Sequence, residues 1–231
     1  MIFVTQLKVV VYKLLARLLN CLRVDLVHFT KPWRVEIFDT IRQLKSERHF
    51  LMSYMDAYNL ASLATSTWTI DGEVAEIGSY EGVSAKLIGK YKDPDKRFYV
   101  IDSFEGLPEV SDVDREGGFS EGAFKSRSSV EDVRRYLAHV PNVTVLQGFF
   151  PERNAAALEN LRFSLVHLDI DLQQPTLDCL DFFYPRMAPG GVIISHDFHT
   201  PGIRGAFKTF LEDKPEIAIE LMEHQGVIVK L

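Results

Sequence analysis

The chain has 231 residues, and 46% hydrophobic content argues for a packed core and against a disordered chain. A formal net charge of −6, without a long Lys/Arg run, argues against nucleic-acid binding, because neutralising phosphates requires a basic surface. Two cysteines far apart in sequence, Cys21 and Cys179, form neither a metal quartet nor a disulfide framework. A reducing environment, the cytoplasm, is the simplest interpretation.

The first segment, to about residue 29, is apolar but cannot span a membrane. It is interrupted by Lys8, Lys13, Arg17 and Arg23, and no signal-peptide cleavage site follows it. Its helical spacing predicts an amphipathic helix that packs on its own domain, on a second subunit or on a membrane surface. Packing on protein is favoured over membrane contact because the basic residues are few. The stretch TKPW, Thr30–Trp33, breaks the pattern. Residues 1–70 are predicted to form an N-terminal helical cap.

From Glu73 onward, runs rich in β-branched residues alternate with helical patterns, which predicts a parallel sheet with helices on both faces. The five predicted parallel strands are EVAEIG, RFYVID, NVTVLQG, FSLVHLD and GGVIISHD. The predicted helices between and after them are VSAKLIGKY, SVEDVRRYLAHV, ERNAAALENL, TLDCLDFFYPRM and IRGAFKTFLED. Two last runs, IAIELM and GVIVKL, predict an antiparallel hairpin. This α/β pattern over residues 71–231 resembles the Rossmann-like, seven-stranded domain of class I methyltransferases.

Residues 104–125 form the longest stretch without periodicity, and they are rich in Gly and acidic residues. Long loops in compact domains are commonly functional lids or disordered segments. This loop follows the carboxyl end of a predicted strand. We therefore interpret it as a lid.

The stretch VAEIGSYEGVSAKLI places Glu76 at the end of a strand and Gly78 and Gly82 in the turn to a helix. Such a turn lets the backbone approach a ligand closely. The spacing differs from that of dinucleotide sites, where an acid ahead of the glycines would repel the pyrophosphate. An acid suits an ammonium group, such as that of the methionine part of S-adenosylmethionine. A plain turn between strand and helix is the alternative.

Asp102 ends the next predicted strand, 24 residues after Gly78. A carboxylate at this spacing can accept hydrogen bonds from both hydroxyl groups of a ribose. Ser103 and Phe104 follow directly, and Phe104 either packs on an adenine ring or belongs to the core. Glu76, the glycine turn and Asp102 therefore predict a nucleoside-containing cofactor.

Five blocks of sequence resemble the macrocin O-methyltransferase family in order and spacing. They are FYVIDSFEGLPE (Phe98–Glu109), LQGFFPE (Leu146–Glu152), LVHLDIDL (Leu165–Leu172), PRMAPGGVIISHD (Pro185–Asp197) and GIRGAFKTF (Gly202–Phe210). The resemblance covers Glu73–Asp213 and implies O-methylation of a hydroxyl group, commonly on a sugar of a natural product, with S-adenosylmethionine and magnesium. The resemblance and the apolar first segment together lead us to expect a homo-oligomer, such as a dimer.

The resemblance also assigns cofactor contacts. The expected cofactor-binding residues are Glu76, Gly78, Ser79, Tyr80, Gly82, Ser84, Asp102, Ser103, Phe104, Gln147, Gly148, Phe149 and Asp169. Tyr80 and Ser84 are expected at the methionine part. Gln147, Gly148 and Phe149 lie where this fold holds the adenine.

In the family pattern, the first acid of an Asp-x-Asp pair binds the metal and the second is the general base. These positions are Asp169 and Asp171. Magnesium takes oxygen ligands and retains waters, so few carboxylates suffice. The alternative for Asp171 is a helix cap. His167, within the strand before the pair, is interpreted as a hydrogen-bonded core histidine rather than a ligand.

The next strand departs from the family, because His196 and Asp197 stand where two adjacent acids are usual. Asp197 suits magnesium, whereas His196 suits manganese, zinc, iron or nickel. Either the metal differs, or a water replaces this ligand, or His196 has become an acid/base group. Gln173 and Phe198 stand where the family has Tyr, and both are expected to line the acceptor pocket.

Two other classes of function remain open on the sequence. An Asp-x-Asp pair is also the metal-binding signature of some glycosyltransferases, although Glu76 does not suit a diphosphate. The altered residues His196, Gln173 and Phe198 also fit a non-catalytic scaffold that retains the cofactor fold.

Overall fold

A computed structural model describes residues 32–231 of the chain, and Phe38–Leu231 forms one compact unit. The amphipathic helix predicted for the first segment, the start of the TKPW break and Cys21 lie outside the described residues. The predicted boundary between a cap and a methyltransferase domain near residue 70 stays a prediction. Within the described residues, no helix is both long and apolar enough to cross a membrane.

A single mixed sheet organises the described chain. Its strands are β1 (Glu73–Ile77), β2 (Phe98–Asp102), β3 (Val143–Gln147), β4 (Phe163–Leu168), β5 (Met187–Ser195), β6 (Ile219–Glu220) and β7 (Gly226–Val229). The seven strands lie in the order β3-β2-β1-β4-β5-β7-β6. Strands β1 to β5 pair in parallel, and β7 is antiparallel to both β5 and β6. The fold class predicted from the sequence is thereby confirmed.

Helices flank the strands in the predicted alternation, and one further short helix, at Asp112–Glu116, lies in the stretch 104–125 where none is predicted. They are α1 (Pro32–Glu47), α2 (Tyr54–Ser66), α3 (Val83–Tyr91), α4 (Asp112–Glu116), α5 (Val130–Tyr136), α6 (Ala155–Leu158), α7 (Gln173–Phe183) and α8 (Pro201–Leu211), with a 3₁₀ turn at Tyr184–Arg186. Ser53, Ser111 and Ser129 cap α2, α4 and α5 by accepting a hydrogen bond from a backbone N–H of the first turn.

One helix differs from its prediction. The sequence predicts a helix over residues 152–161, but α6 has only four residues. The amide of Asn154, which precedes α6, donates to the Gln147 carbonyl at 3.4 Å instead of capping the helix. Residues 151–154 therefore form non-helical turns, and the helix begins only at Ala155.

Hydrophobic side chains are buried on both faces of the central strands, against α2 and α3 on one face and α7 and α8 on the other. Every residue of β4 is buried, and Phe163 of β4 packs edge-on against Phe183 of α7 at 5.1 Å between ring centroids. Because β1, β2, β4 and β5 are parallel, their carboxyl ends meet at one edge of the sheet. This is the edge where ligands bind in open α/β folds.

Candidate functional site

A cavity of about 500 Å³ lies at the carboxyl ends of β1, β2, β4 and β5. Its wall includes twelve of the sixteen residues that the sequence predicts for the site: Gly78, Ser79, Tyr80, Ser84, Asp102, Ser103, Gly148, Phe149, Asp169, Asp171, His196 and Asp197. The other four, Glu76, Gly82, Phe104 and Gln147, do not line it. The cavity therefore brings the predicted cofactor and metal residues together.

Gly78 forms the floor of the cavity where β1 meets β4. Its φ is 85°, and a Cβ placed on it would lie 1.9 Å from the backbone oxygen of Asp169. The Gly78 N–H donates to the Ile101 carbonyl at 2.8 Å, which holds the turn against β2. Only glycine fits this position, because both the backbone conformation and the contact exclude a side chain.

Asp102 is held by three backbone N–H groups. Its Oδ2 accepts hydrogen bonds from Ser79 N at 2.8 Å and Tyr80 N at 2.7 Å, and its Oδ1 accepts one from Phe104 N at 2.6 Å. Burial raises the pKa of Asp102, and the three donors oppose that shift. The carboxylate thus has a fixed orientation on the cavity wall, with acceptor capacity left for a ligand hydroxyl.

Glu76 does not reach the cavity. It is fully buried within β1, and its Oε1 lies 2.9 Å from Nδ1 of His167 in β4. Burial raises the pKa of Glu76, with His167 acting in the opposite direction. Its other oxygen, Oε2, is buried and has no hydrogen-bond partner among the described residues, and the expected contact with an ammonium group stays a prediction. His167 is the hydrogen-bonded core histidine that the sequence predicts.

The other three residues outside the wall have structural positions. Gly82 precedes α3 with a φ of 80°, and a Cβ there would lie 3.0 Å from Val133. Phe104 is buried with 8% exposure, which favours the core alternative over contact with adenine. Gln147 is exposed at the end of β3. The wall near the predicted adenine position is therefore formed by Gly148 and Phe149.

Four charged side chains converge where β4 and β5 end. Nδ1 of His196 lies 3.3 Å from Oδ1 of Asp169 and 3.0 Å from Oδ2 of Asp197. Asp171 and Asp197 both have left-handed backbone conformations, with φ values of 65° and 54°. This conformation is strained for residues other than glycine and is concentrated at functional sites.

The acidic residues of this cluster differ in their affinity for protons. Burial raises the pKa of Asp171 well above its usual range, and the neighbouring charges of Asp169 and Asp197 add to the shift. Burial alone would also raise the pKa of Asp197, but hydrogen bonding to His196 lowers it. Asp171 is therefore a stronger base than an ordinary aspartate.

The surroundings of His196 favour its protonated form. Burial acts to lower its pKa, but the carboxylates of Asp169, Asp197 and Asp56 raise it far above the usual range. The imidazolium form therefore compensates part of the negative charge of the cluster.

The sequence analysis missed two residues behind His196. Asp56, buried on α2, has its Oδ2 2.9 Å from Nδ1 of His224, in the turn between β6 and β7. The same oxygen lies 3.6 Å from Nε2 of His196. No sequence signal could have found this group, because Asp56 and His224 are 168 residues apart and belong to no motif.

The cluster fits a divalent metal ion. Asp169, His196 and Asp197 each offer one ligand atom, and these atoms lie within 4.8 Å of one another. Two carboxylate oxygens and one imidazole nitrogen suit manganese, iron or zinc, and the two oxygens with waters suit magnesium.

An apolar part of the wall faces this polar end. It includes Phe50, Leu51, Met52 and Pro175, together with Leu107, Pro108, Phe119 and Phe124 from the predicted lid. Gln173 and Phe198 do not line the cavity. The Gln173 N–H donates to Asp114 at 2.9 Å, and the ring of Phe198 packs edge-on against Phe207 at 5.2 Å between centroids.

A family model described as macrocin-O-methyltransferase (TylF) matches residues 54–228. The chain is 32% identical over 149 residues to the 8-demethyl-8-(2,3-dimethoxy-alpha-L-rhamnosyl)-tetracenomycin-C 4'-O-methyltransferase of Streptomyces olivaceus. This alignment covers 59% of this chain and 57% of that protein. The chain is 27% identical over 174 residues to the mycinamicin III 3''-O-methyltransferase of Micromonospora griseorubida, which covers 68% of each. The first alignment thus spans little more than half of the relative's length.

Solved structures share the fold. The O-methyltransferase NovP superposes with a TM-score of 0.68 and 21% identity, over 79% of this chain and 82% of that one. The calicheamicin methyltransferase CalS11 superposes with a TM-score of 0.65 and 18% identity, over 88% of this chain and 94% of that one.

Proposed function

Because the chain belongs to the macrocin-O-methyltransferase family, we propose that it transfers the methyl group of S-adenosylmethionine to a hydroxyl group of a sugar or glycosylated natural product. The predicted family and the predicted enzyme class, an O-methyltransferase, are confirmed by the match. The glycosyltransferase alternative loses its support, since the Asp-x-Asp pair lies within a methyltransferase family's matched region. The scaffold alternative, which rests on His196, Gln173 and Phe198, is tested by the binding and activity measurements below.

The cofactor half of the proposed site is built mainly from backbone. Asp102 would accept hydrogen bonds from the ribose hydroxyls, and its own orientation is fixed by three N–H donors. Tyr80 and Ser84 would contact the methionine part, and Gly148 and Phe149 the adenine. All five residues lie on the cavity wall, which supports this placement.

The observation that carries the proposal is the environment of Asp171 on that wall. It lies on the cavity wall at the carboxyl end of β4, together with Asp169, His196 and Asp197. The acceptor hydroxyl would give its proton to the Asp171 carboxylate while the hydroxyl oxygen forms a bond to the methyl carbon. The carbon–sulfur bond breaks with its electrons on sulfur, which leaves neutral S-adenosylhomocysteine. Asp171 is thus the proposed general base.

We further propose that Asp169, His196 and Asp197 hold a divalent ion, magnesium or another metal such as manganese. A bound cation stabilises the negative charge that develops on the acceptor oxygen. The spacing of the three ligand atoms, within 4.8 Å of one another, supports this proposal. His196 is also a candidate acid/base group, because it remains in contact with both carboxylates.

The acceptor is proposed to be a small molecule with a sugar. The printed names of both relatives describe methylation of such compounds, and the apolar wall formed by Phe50, Leu51 and Met52 suits an apolar substituent next to the sugar. Nucleic acid is not expected as a partner, and membrane contact is disfavoured. A cytoplasmic location and a homo-oligomer remain predictions.

The proposal is tested by titrating the chain calorimetrically with S-adenosylmethionine and, in parallel, with a nucleotide sugar. Methyl transfer from labelled cofactor to rhamnosyl polyketides is then measured with magnesium, with manganese and with chelator. We expect binding of S-adenosylmethionine only, and metal-stimulated labelling of a hydroxyl. Binding of neither ligand would overturn the enzymatic proposal, and full activity in chelator would overturn the metal requirement.

A further inference from the structure

The imidazole ring of His196 lies between two sets of possible ligands. Its Nδ1 faces Asp169 and Asp197, and its Nε2 faces Asp56 at 3.6 Å. His224 lies on the same side as Asp56 and contacts it at 2.9 Å. We name Asp56, His196 and His224 the rear group, since the cavity wall contains only His196 of the three.

The spacing within the rear group fits coordination of a metal ion. The three ligand atoms lie within 4.8 Å of one another. In a tetrahedral site with bonds of roughly 2.0–2.1 Å, the ligand atoms are about 3.3 Å apart. The two measured separations from Asp56 Oδ2, 2.9 Å and 3.6 Å, lie on either side of that value. The two imidazole nitrogens lie within 4.8 Å of each other, so the rings would move toward each other to place all three atoms around one ion.

Nε2 of His196 supplies a second, independent observation. It is buried and has no hydrogen-bond partner among the described residues. Its distance of 3.6 Å to Asp56 is too long for a hydrogen bond. A buried nitrogen without a partner is costly, so native structures rarely retain one without a ligand or water. This nitrogen faces the rear group.

We propose that the rear group binds a borderline transition-metal ion such as Zn²⁺ through Asp56 Oδ2, His196 Nε2 and His224 Nδ1. Two imidazoles and one carboxylate favour this class of ion over magnesium. Each nitrogen that binds the ion releases its proton to solvent. His196 then retains its proton on Nδ1, where Asp169 and Asp197 accept it. With zinc in the rear group, the ion proposed beside Asp171 would therefore be held by Asp169 and Asp197 without His196.

Three protein ligands leave one coordination position open. The side chain of His224 is 38% exposed, so an ion has a route to the site from solvent. His199, exposed in the loop after β5, stacks edge-on against His224 at 4.9 Å between ring centroids. The rear group shares His196 with the proposed methyl-transfer site, whereas Asp56 and His224 lie outside the cavity wall, so a change at His224 tests the rear group alone.

The test is calorimetric titration of the full chain, produced without a polyhistidine tag, with zinc chloride alone. We expect one zinc ion per chain in the wild type. His224→Gln should weaken zinc binding by more than about 10-fold, the lower limit for losing even an outer partner of a ligand. The matched control is His139→Gln, which removes an exposed histidine outside the group and should leave zinc binding unchanged.

Three outcomes would overturn the proposal. The first is absence of zinc binding to the wild type, and the second is equal zinc affinity of His224→Gln and the wild type. The third is loss of zinc binding in His196→Gln without loss in His224→Gln, because that result would place the ion at Asp169 and Asp197. Unfolding temperatures in chelator identify a variant that fails to fold, and Asp56→Asn then serves as the second variant. S-adenosylmethionine affinity, measured on the same samples, should be unchanged by His224→Gln. The zinc result therefore stands apart from the outcome for the methyl-transfer proposal.

Discussion

At the ends of β1 and β2, three backbone N–H groups surround the carboxylate of Asp102, whereas at the ends of β4 and β5, two other carboxylates flank that of Asp171. Both aspartates line the same cavity. The first receives fixed donors from the glycine turn and from Phe104. The second depends on His196 for the positive charge in its neighbourhood.

This difference separates binding from chemistry. Backbone donors hold a carboxylate in one orientation, which suits recognition of the hydroxyl groups of a cofactor. Like charges and burial raise the pKa of a carboxylate, which suits the uptake of a proton from an acceptor. The two halves of the cavity should therefore respond differently to the same Asp→Asn change.

Asp171→Asn should cause the largest loss of activity. It removes the proposed base without altering a backbone contact, so we expect kcat to fall by about 10²- to 10⁴-fold while S-adenosylmethionine affinity stays unchanged. Asp181→Asn, which alters an exposed residue on α7, is the matched control. Steady-state kinetics and calorimetry measure the two quantities. If cofactor affinity fell as strongly as kcat, the distinction between the halves would be lost.

Gly78→Ala should have the next largest effect, on folding. The added Cβ would lie 1.9 Å from the Asp169 oxygen at a φ of 85°, so we expect a loss of unfolding free energy of about 2–5 kcal/mol from strain and overlap together. Gly118→Ala is the control, because its φ is 95° and nothing lies within 4 Å of its Cβ. It should cost only about 1–2 kcal/mol. Equal losses in urea unfolding would show that close approach of β1 and β4 is not what requires glycine.

The cofactor half was largely predictable from the sequence, because glycine spacing and strand ends are local patterns. Gly78 and Asp102 fall where these patterns place them. Glu76 shows the limit of such patterns. An acid at a strand end is visible in the sequence, but its buried hydrogen bond to His167 of β4 is not.

The half of the cavity around Asp171, which contains the proposed metal ligands, was predictable only where the family pattern extends. Asp169, Asp171, His196 and Asp197 converge as expected, since consecutive parallel strands end at one edge. Asp56 and His224 come together through tertiary packing of α2 against the last turn, and no local periodicity encodes that contact. Gln173 and Phe198 were placed in the acceptor pocket by resemblance, whereas helix packing directs them elsewhere.

Asp102→Asn should weaken cofactor binding more than it slows the reaction. Asparagine retains one acceptor oxygen but places an NH₂ group opposite a backbone N–H. Losing one or more hydrogen bonds to a charged acceptor costs about 1.5–3 kcal/mol, which corresponds to a rise in the dissociation constant of S-adenosylmethionine of roughly 10- to 150-fold. At saturating cofactor, kcat should be close to that of the wild type. A large fall in kcat at saturation would instead give Asp102 a part in the chemistry.

Glu216 is a carboxylate with a full set of donors outside the cavity, and it should show the smallest effect. Tyr184 Oη, Lys230 Nζ and Leu231 N donate to it at 2.6, 2.9 and 3.1 Å. Although burial acts in the opposite direction, these donors lower the pKa of Glu216 to about 2. The unfolded chain, with a pKa of about 4.3, therefore takes up the proton first as the pH falls. The stabilisation is present above that value and is lost between about pH 4.3 and 2.

Glu216→Gln should accordingly lower the unfolding free energy by about 1–3 kcal/mol at pH 6, and the difference from wild type should shrink as the pH falls below about 4.3. Urea unfolding at several pH values measures this, and kcat should be unchanged because Glu216 lies outside the cavity wall.

Asp171→Asn should behave in the opposite way. It replaces a buried carboxyl group that is crowded by Asp169 and Asp197, so it should leave stability unchanged or raise it while kcat falls as described above. A destabilised Asp171→Asn protein would mean that the crowded carboxylates support the fold, and their role in chemistry would need a separate demonstration.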